Sequence, residues 1–153
     1  MLLAISAAQR SPDPNTQVGA CIVDKKNRVL GLGYNGFPRG ISNHGFPWNR
    51  EGEPLETKYP YIVHAEKNAI YNANGPIEGA KLFVTMYPCN ECAKDIIQAG
   101  IKEIHYLTNP YKDTWAAKAA DKMFQFLDII TIQHTWDIDR ILLCLQNITH
   151  LIE

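Results

Sequence analysis

Apolar positions in this chain come in short blocks whose internal spacing changes from one block to the next. Leu2 to Ala8 is an apolar stretch that reads as a helix, stopped by the two prolines of "SPDPN". "TQVGACIVD" (Thr16 to Asp24) and "RVLGLGYN" (Arg28 to Asn35) are β-rich and flank a "KKN" turn, which predicts a hairpin. "IVHAEKNAIYNA" predicts a helix that begins near His64 and ends before Gly75-Pro76. "KLFVTMY" is a short buried strand. "PCNECAKDIIQAG" is a helix with Pro88 in its first turn and Gly100 at its C-terminal cap. "IKEIHYL" is the next strand, so this strand–helix–strand unit implies a parallel, right-handed crossover. "DTWAAKAADKMFQF" repeats apolar residues at Trp115, Ala119, Met123 and Phe126, a helical period. "DIITIQH" predicts a last strand, and Ile138, Ile141, Leu142, Leu145 and Ile148 a final amphipathic helix. The sum is an α/β architecture: a mixed five-stranded sheet with helices on both faces, a three-layer α/β/α sandwich.

One segment fits neither period. From Gly36 to Pro60 the chain is rich in Gly, Pro, Asn and charge. A loop of about 25 residues inside a small domain is usually functional. It carries Phe37, Phe46, Trp48 and Tyr59, which predicts that it is ordered against something.

Composition narrows the picture. The chain has 153 residues, enough for one compact domain over 1–153. The formal net charge of −1 gives no global field toward nucleic acid or an anionic membrane. No apolar run approaches the roughly 20 residues of a membrane span. No basic region precedes the apolar start, so no secretory signal is expected. Four cysteines in that setting do not suggest a disulfide framework. A reducing cytoplasm is expected instead, where a C-x-x-C pair serves metal or redox chemistry.

Cys89 and Cys92 form such a pair at a predicted helix start, where the helix dipole and free N–H groups favour thiolates. A second helix start carries His64 and Glu66 as H-A-E. One imidazole and two thiolates suit tetrahedral zinc with one open position. Zinc so held lowers the pKa of a water to about 7. Glu66 is too near His64 in sequence to be a fourth ligand and sits where a proton shuttle is needed. H-x-E followed by P-C-x-x-C is the signature of zinc-dependent nucleobase deaminases. His44, His105, His134 and His150 share no such spacing and read as surface or packing residues. Cys21 and Cys144 read as small core hydrophobes.

Four stretches together, "SPDPNTQVGACIVD", "GLGYNGFPRG", "TKYPYIVHAEKNAI" and "PCNECAKDIIQAGIKEI", resemble the deoxycytidylate (dCMP) deaminase family. The resemblance runs from about Ala7 to Tyr111. It implies a cytidine deaminase-like fold, with a first helix trimmed relative to the family, and hydrolysis of dCMP to dUMP. By resemblance, His64, Cys89 and Cys92 bind Zn2+ and Glu66 is catalytic. The substrate lies against Asn35, Ala65 and Tyr111. The "GYNG" motif (Gly33, Tyr34, Asn35, Gly36) implies an effector site where dCTP activates and dTTP inhibits. A hexamer is implied as well. Arg39, Arg50, Lys58 and Lys112 are candidate holders of the phosphate.

Rival readings are a dual dCMP/dCTP deaminase, a tRNA or single-strand deaminase, a free-nucleoside deaminase, and a structural zinc module. A nucleic-acid enzyme would want a basic, aromatic groove, which the net charge disfavours. A free-nucleoside enzyme carries C-A-E where His64 stands here. A structural site has no use for Glu66.

Overall fold

The computed structural model describes residues 1–135; the predicted last helix, with Cys144 and His150, lies outside the described residues. Among the described residues four α-helices and five strands follow in order: α1 (Leu2–Ala8), β1 (Gly19–Val23), β2 (Val29–Tyr34), α2 (Ala65–Tyr71), β3 (Lys81–Met86), α3 (Asn90–Gln98), β4 (Glu103–Thr108), α4 (Trp115–Phe126) and β5 (Ile130–Gln133), with a 3-10 turn at Pro54–Glu56 between β2 and α2. The sheet is five-stranded, in the order β2-β1-β3-β4-β5. β1 runs antiparallel to both neighbours, while β3, β4 and β5 are mutually parallel. No described helix is long and apolar enough to cross a membrane.

Strand alternation sorts the core into two layers. Ala20, Ile22, Leu82, Val84 and Ile104 face α2, α3 and α4, where they meet Ala65, Ala69, Ala93, Ile96, Ala120 and Phe124. Cys21 and Val23 point the other way, onto Ala4 of α1 and Phe83. Cys21 is thus a core residue, 2% exposed. His105 is a packing residue: it is buried, stacks on Phe83 at 4.4 Å, and binds Glu103 and His134 at 2.6 and 2.7 Å. His44 is exposed.

Some local expectations change and others hold. Strand β1 starts at Gly19 rather than Thr16, because side chains capture the backbone before it. Asp13 Oδ1 accepts from Thr16 N at 3.1 Å, and Asn35 Oδ1 from Val18 N at 2.8 Å. Helix α2 ends at Tyr71 with Asn72 as its cap, before Gly75 as expected. Pro88 is not in the first turn of α3: Cys89, in extended backbone, is the N-cap, so Pro88 precedes it. Gly100 follows the Ala99 cap with a positive φ of 75°, the left-handed conformation that ends a helix most easily with glycine. Helix α4 has the expected period but buries a different stripe. Ala117, Ala120 and Phe124 face inward, while Trp115 and Phe126 are 76% and 86% exposed. Both stripes are apolar, so periodicity alone cannot choose between them.

The long segment after β2 is a closed loop. Gly36 and Val63 pair as an antiparallel bridge, with N–H···O distances of 3.1 and 2.8 Å. Inside it Phe37 packs on Trp48 at 4.2 Å and on Phe46 at 5.8 Å, and Phe46 packs on Tyr61 at 4.6 Å. Tyr61, not the expected Tyr59, completes this cluster. Tyr59 is 55% exposed and stands at a cavity instead.

Candidate active site and metal centre

Two helices begin at the same place. His64 is the N-cap of α2 and Cys89 the N-cap of α3, both in extended backbone. Glu66 stands on the first turn of α2 and Cys92 on the first turn of α3. The helices lie on one sheet face, joined by an ion pair of 2.9 Å between Lys67 and Asp95. Gly33 permits the close seating of α2 on β2: a Cβ there would stand 2.3 Å from Ala65 O and from Ala69 N.

This seating brings three donor atoms together. His64 Nδ1 is 3.5 Å from Cys89 Sγ and 3.3 Å from Cys92 Sγ, and all three atoms lie within 4.8 Å of one another. Zinc–nitrogen and zinc–sulfur bonds of normal length span a tetrahedral edge of about 3.6 Å. The donor set and its spacing therefore fit zinc, with the fourth direction left for solvent or substrate. Electrostatics agree. A hydrogen bond from Cys92 lowers the Cys89 thiol to about 3 in spite of burial. The same bond, with burial, pushes Cys92 up. His64 is raised by its hydrogen bond to Cys89. A divalent cation would take the place of the protons this cluster now shares.

Glu66 is 4% exposed, and burial raises its carboxyl above the ordinary range. A buried carboxyl poised to take up and release a proton is what general acid–base chemistry requires. Glu66, His64 and Cys89 form one part of the wall of a cavity of about 290 Å³, and Asn35, Ala65 and Tyr111 line it too. Expected site residues from four separate segments thus share one space.

The phosphate candidates divide. Arg50 and Lys58 line this cavity. Lys58, however, is committed: its Nζ is 2.5 Å from Asp13 Oδ2, with side chains 6% and 0% exposed. Arg39 borders a neighbouring cavity with Arg10, Tyr34 and Gly36, and donates to Asn72 Oδ1. Lys112 is exposed and lines neither space. The "GYNG" motif is divided likewise: Asn35 faces the first cavity, Tyr34 and Gly36 the second, and Gly33 the backbone of α2. Asn35 is largely spent. Its Oδ1 accepts from Val18 N at 2.8 Å, and its Nδ2 donates to Asp13 Oδ2 at 3.2 Å and Thr16 O at 2.9 Å. One lone pair of Oδ1 is left for a ligand hydroxyl.

Asp13 and Tyr87 are among the wall residues that were not foreseen. Asp13 is 1% exposed and accepts four hydrogen bonds, from Asn15 N, Thr16 N, Asn35 Nδ2 and Lys58 Nζ. It is the hub that joins the "SPDPN" turn, the end of β2 and the long loop. Its one sequence signal was an acidic residue between two prolines. Tyr87, 8% exposed, packs edge-on against Tyr106 at 4.7 Å and donates to Asp121. Burial and that carboxylate push its phenol upward, so it stays protonated.

Comparison with known proteins bears on this geometry. Residues 1–108 match the family model described as the cytidine and deoxycytidylate deaminase zinc-binding region. The human deoxycytidylate deaminase is 50% identical over 131 residues, 84% of this chain and 74% of that protein. A probable deoxycytidylate deaminase of Drosophila melanogaster is 48% identical over 141 residues, 88% of this chain and 68% of that protein. The crystal structure of the dCMP deaminase of cyanophage S-TIM5 in complex with dCMP and dUMP superimposes with a TM-score of 0.68 at 29% identity. It covers 86% of this chain and 90% of that one.

Proposed function

The chain belongs to the cytidine and deoxycytidylate deaminase family, and from that premise we propose that it hydrolyses dCMP to dUMP and ammonia. The observation that carries the proposal is the convergence of His64, Cys89 and Cys92 beside a buried Glu66 in the wall of one cavity. The dCMP and dUMP bound by the cyanophage relative support the choice of nucleotide. Zinc held by His64 Nδ1 and the two sulfurs supplies Lewis acidity at its open position.

Glu66 does the proton work. It accepts a proton from the attacking water and delivers it to ring N3 as the new C4–O bond forms. It then carries the second proton of that water to the exocyclic amine. The C4–N bond breaks and ammonia leaves, with N3 keeping its proton and C4 its oxygen. Burial suits Glu66 to the first half, because a carboxylate whose pKa is raised by burial is a stronger proton acceptor than an exposed one. Ala65, fully buried beside it, offers backbone to the base, and Tyr111 closes the wall.

Regulation by dCTP as activator and dTTP as inhibitor belongs to the same proposal. Tyr34, Asn35 and Gly36 separate the two cavities, so a nucleotide in the second would press on the wall of the first. A hexamer is proposed on the family resemblance; light scattering of the pure protein reads its mass. The decisive assay follows ammonia release from dCMP, dCTP, CMP and deoxycytidine, with and without a chelator. Fast, chelator-sensitive release from dCMP is expected. Chelator-resistant release, or none from any cytosine compound, would overturn the proposal. A hyperbolic dCMP curve unmoved by either triphosphate would remove the regulatory part.

A further inference from the structure

Among the described residues the cavity wall contains two cations, Lys58 and Arg50, and only Lys58 is paired with a carboxylate. Lys58 is neutralised by Asp13 within a nearly inaccessible pair. Arg50 forms no salt bridge among the described residues. Its Nε donates to Tyr59 Oη at 3.4 Å, and Tyr111 stands beside the guanidinium. The terminal N–H groups of a guanidinium held in this way are available for a bidentate contact.

Arg50 also belongs to two spaces. It lines the inner cavity with Glu66 and His64, and it lines an outer hollow with Asn15, Trp48, Asn49 and Glu51. In that outer hollow Arg50 is the sole cation among the described lining residues, and Glu51 supplies the opposite charge. A nucleotide with its base at Glu66 and a single phosphate at Arg50 is matched in charge. A longer phosphate chain would continue into a space that offers it, among the described residues, Glu51 and no second cation.

Resting on the dCMP reading above, we propose that Arg50, steadied by Tyr59 and Tyr111, anchors the 5′-phosphate, and that Glu51 selects for a monophosphate over a triphosphate substrate. This separates a dCMP enzyme from a dual dCMP/dCTP enzyme by two adjacent side chains.

The test compares kcat/KM for dCMP, deoxycytidine and dCTP in the zinc-loaded wild type and in Arg50→Ala, Arg50→Lys and Glu51→Lys. Inhibition by dUMP relative to deoxyuridine is the second readout. For Arg50→Ala, loss of a charge-assisted contact is expected to lower kcat/KM for dCMP by about 30- to 100-fold. The loss falls on phosphorylated compounds, with Arg50→Lys intermediate. For Glu51→Lys, the dCTP-to-dCMP ratio is expected to rise about tenfold. Equal losses on dCMP and deoxycytidine, or no loss on dCMP, would overturn the anchor. An unchanged ratio in Glu51→Lys would overturn the selection. No turnover of any cytosine compound by the wild type would instead bring down the dCMP reading, and this inference with it.

Discussion

The cavity has two walls of different construction. One is the meeting of α2 and α3, where His64, Glu66, Cys89 and Cys92 stand on helix caps and first turns. The other is made of the 11–18 segment and the long loop, which bring Asp13, Arg50, Lys58 and Tyr59. The first wall takes its precision from regular backbone: a cap residue and its helix move together, so three donor atoms stay within 4.8 Å. The second has no repeating hydrogen bonds to rely on. It is held by the Asp13 hub, the Gly36–Val63 bridge and the stack of Phe37, Phe46, Trp48 and Tyr61. Chemistry that tolerates little displacement sits on rigid elements, and choice of substrate sits on loops that can be varied independently.

If this division holds, changes in the helix wall should abolish turnover, and changes in the loop wall should alter stability and KM. The largest effect is expected from Cys92→Ala, which removes a fully buried donor: zinc falls below stoichiometry by elemental analysis, and deamination is lost with it. Next, Glu66→Gln should cut kcat by about 10³- to 10⁴-fold while leaving zinc content unchanged. Near-full turnover in that variant would remove Glu66 from the proton path. On the loop side, Lys58→Met leaves the Asp13 carboxylate buried and unpaired, a loss of about 3–5 kcal/mol in denaturant unfolding. Adding Asp13→Asn to it should recover a good part of that loss. If Lys58→Met destroyed zinc binding as thoroughly as Cys92→Ala, the two walls would not be separable. The smallest effect is expected between the helices. Lys67 and Asp95 are partly exposed, so Lys67→Met should cost under about 1 kcal/mol of stability. It should nonetheless weaken zinc in a competition titration by several-fold, and the exchange Lys67→Asp with Asp95→Lys should restore affinity. Unchanged affinity in the single variant would mean that packing alone holds the helices in register.

The two walls also differ in how far they could be read in advance. H-A-E and P-C-N-E-C are local patterns, and a helix start is a local event, so His64, Cys89 and Cys92 were legible as one metal-holding cluster, with Glu66 on the same helix start as His64. Arg50 and Lys58 looked alike as loop cations. Only Asp13, distant in sequence, shows that Lys58 is neutralised, while Arg50 has no salt bridge among the described residues. Tyr59 and Tyr61 are two residues apart in a segment without a period, and nothing local says which joins the aromatic cluster. Asn35 was readable as a cavity residue, but the three hydrogen bonds that commit it involve Asp13, Thr16 and Val18.

By itself the sequence determined the order and kind of the described helices and strands and the metal-holding residues at two helix starts. Hydrophobic period, proline and glycine positions and cap residues all act within a few neighbours. Tertiary structure alone decided that the two starts converge on one point, which apolar stripe of α4 turns inward, and which loop cation Asp13 neutralises. Each of those outcomes depends on a distance between segments far apart in the chain, and such distances are set by packing rather than by local preference.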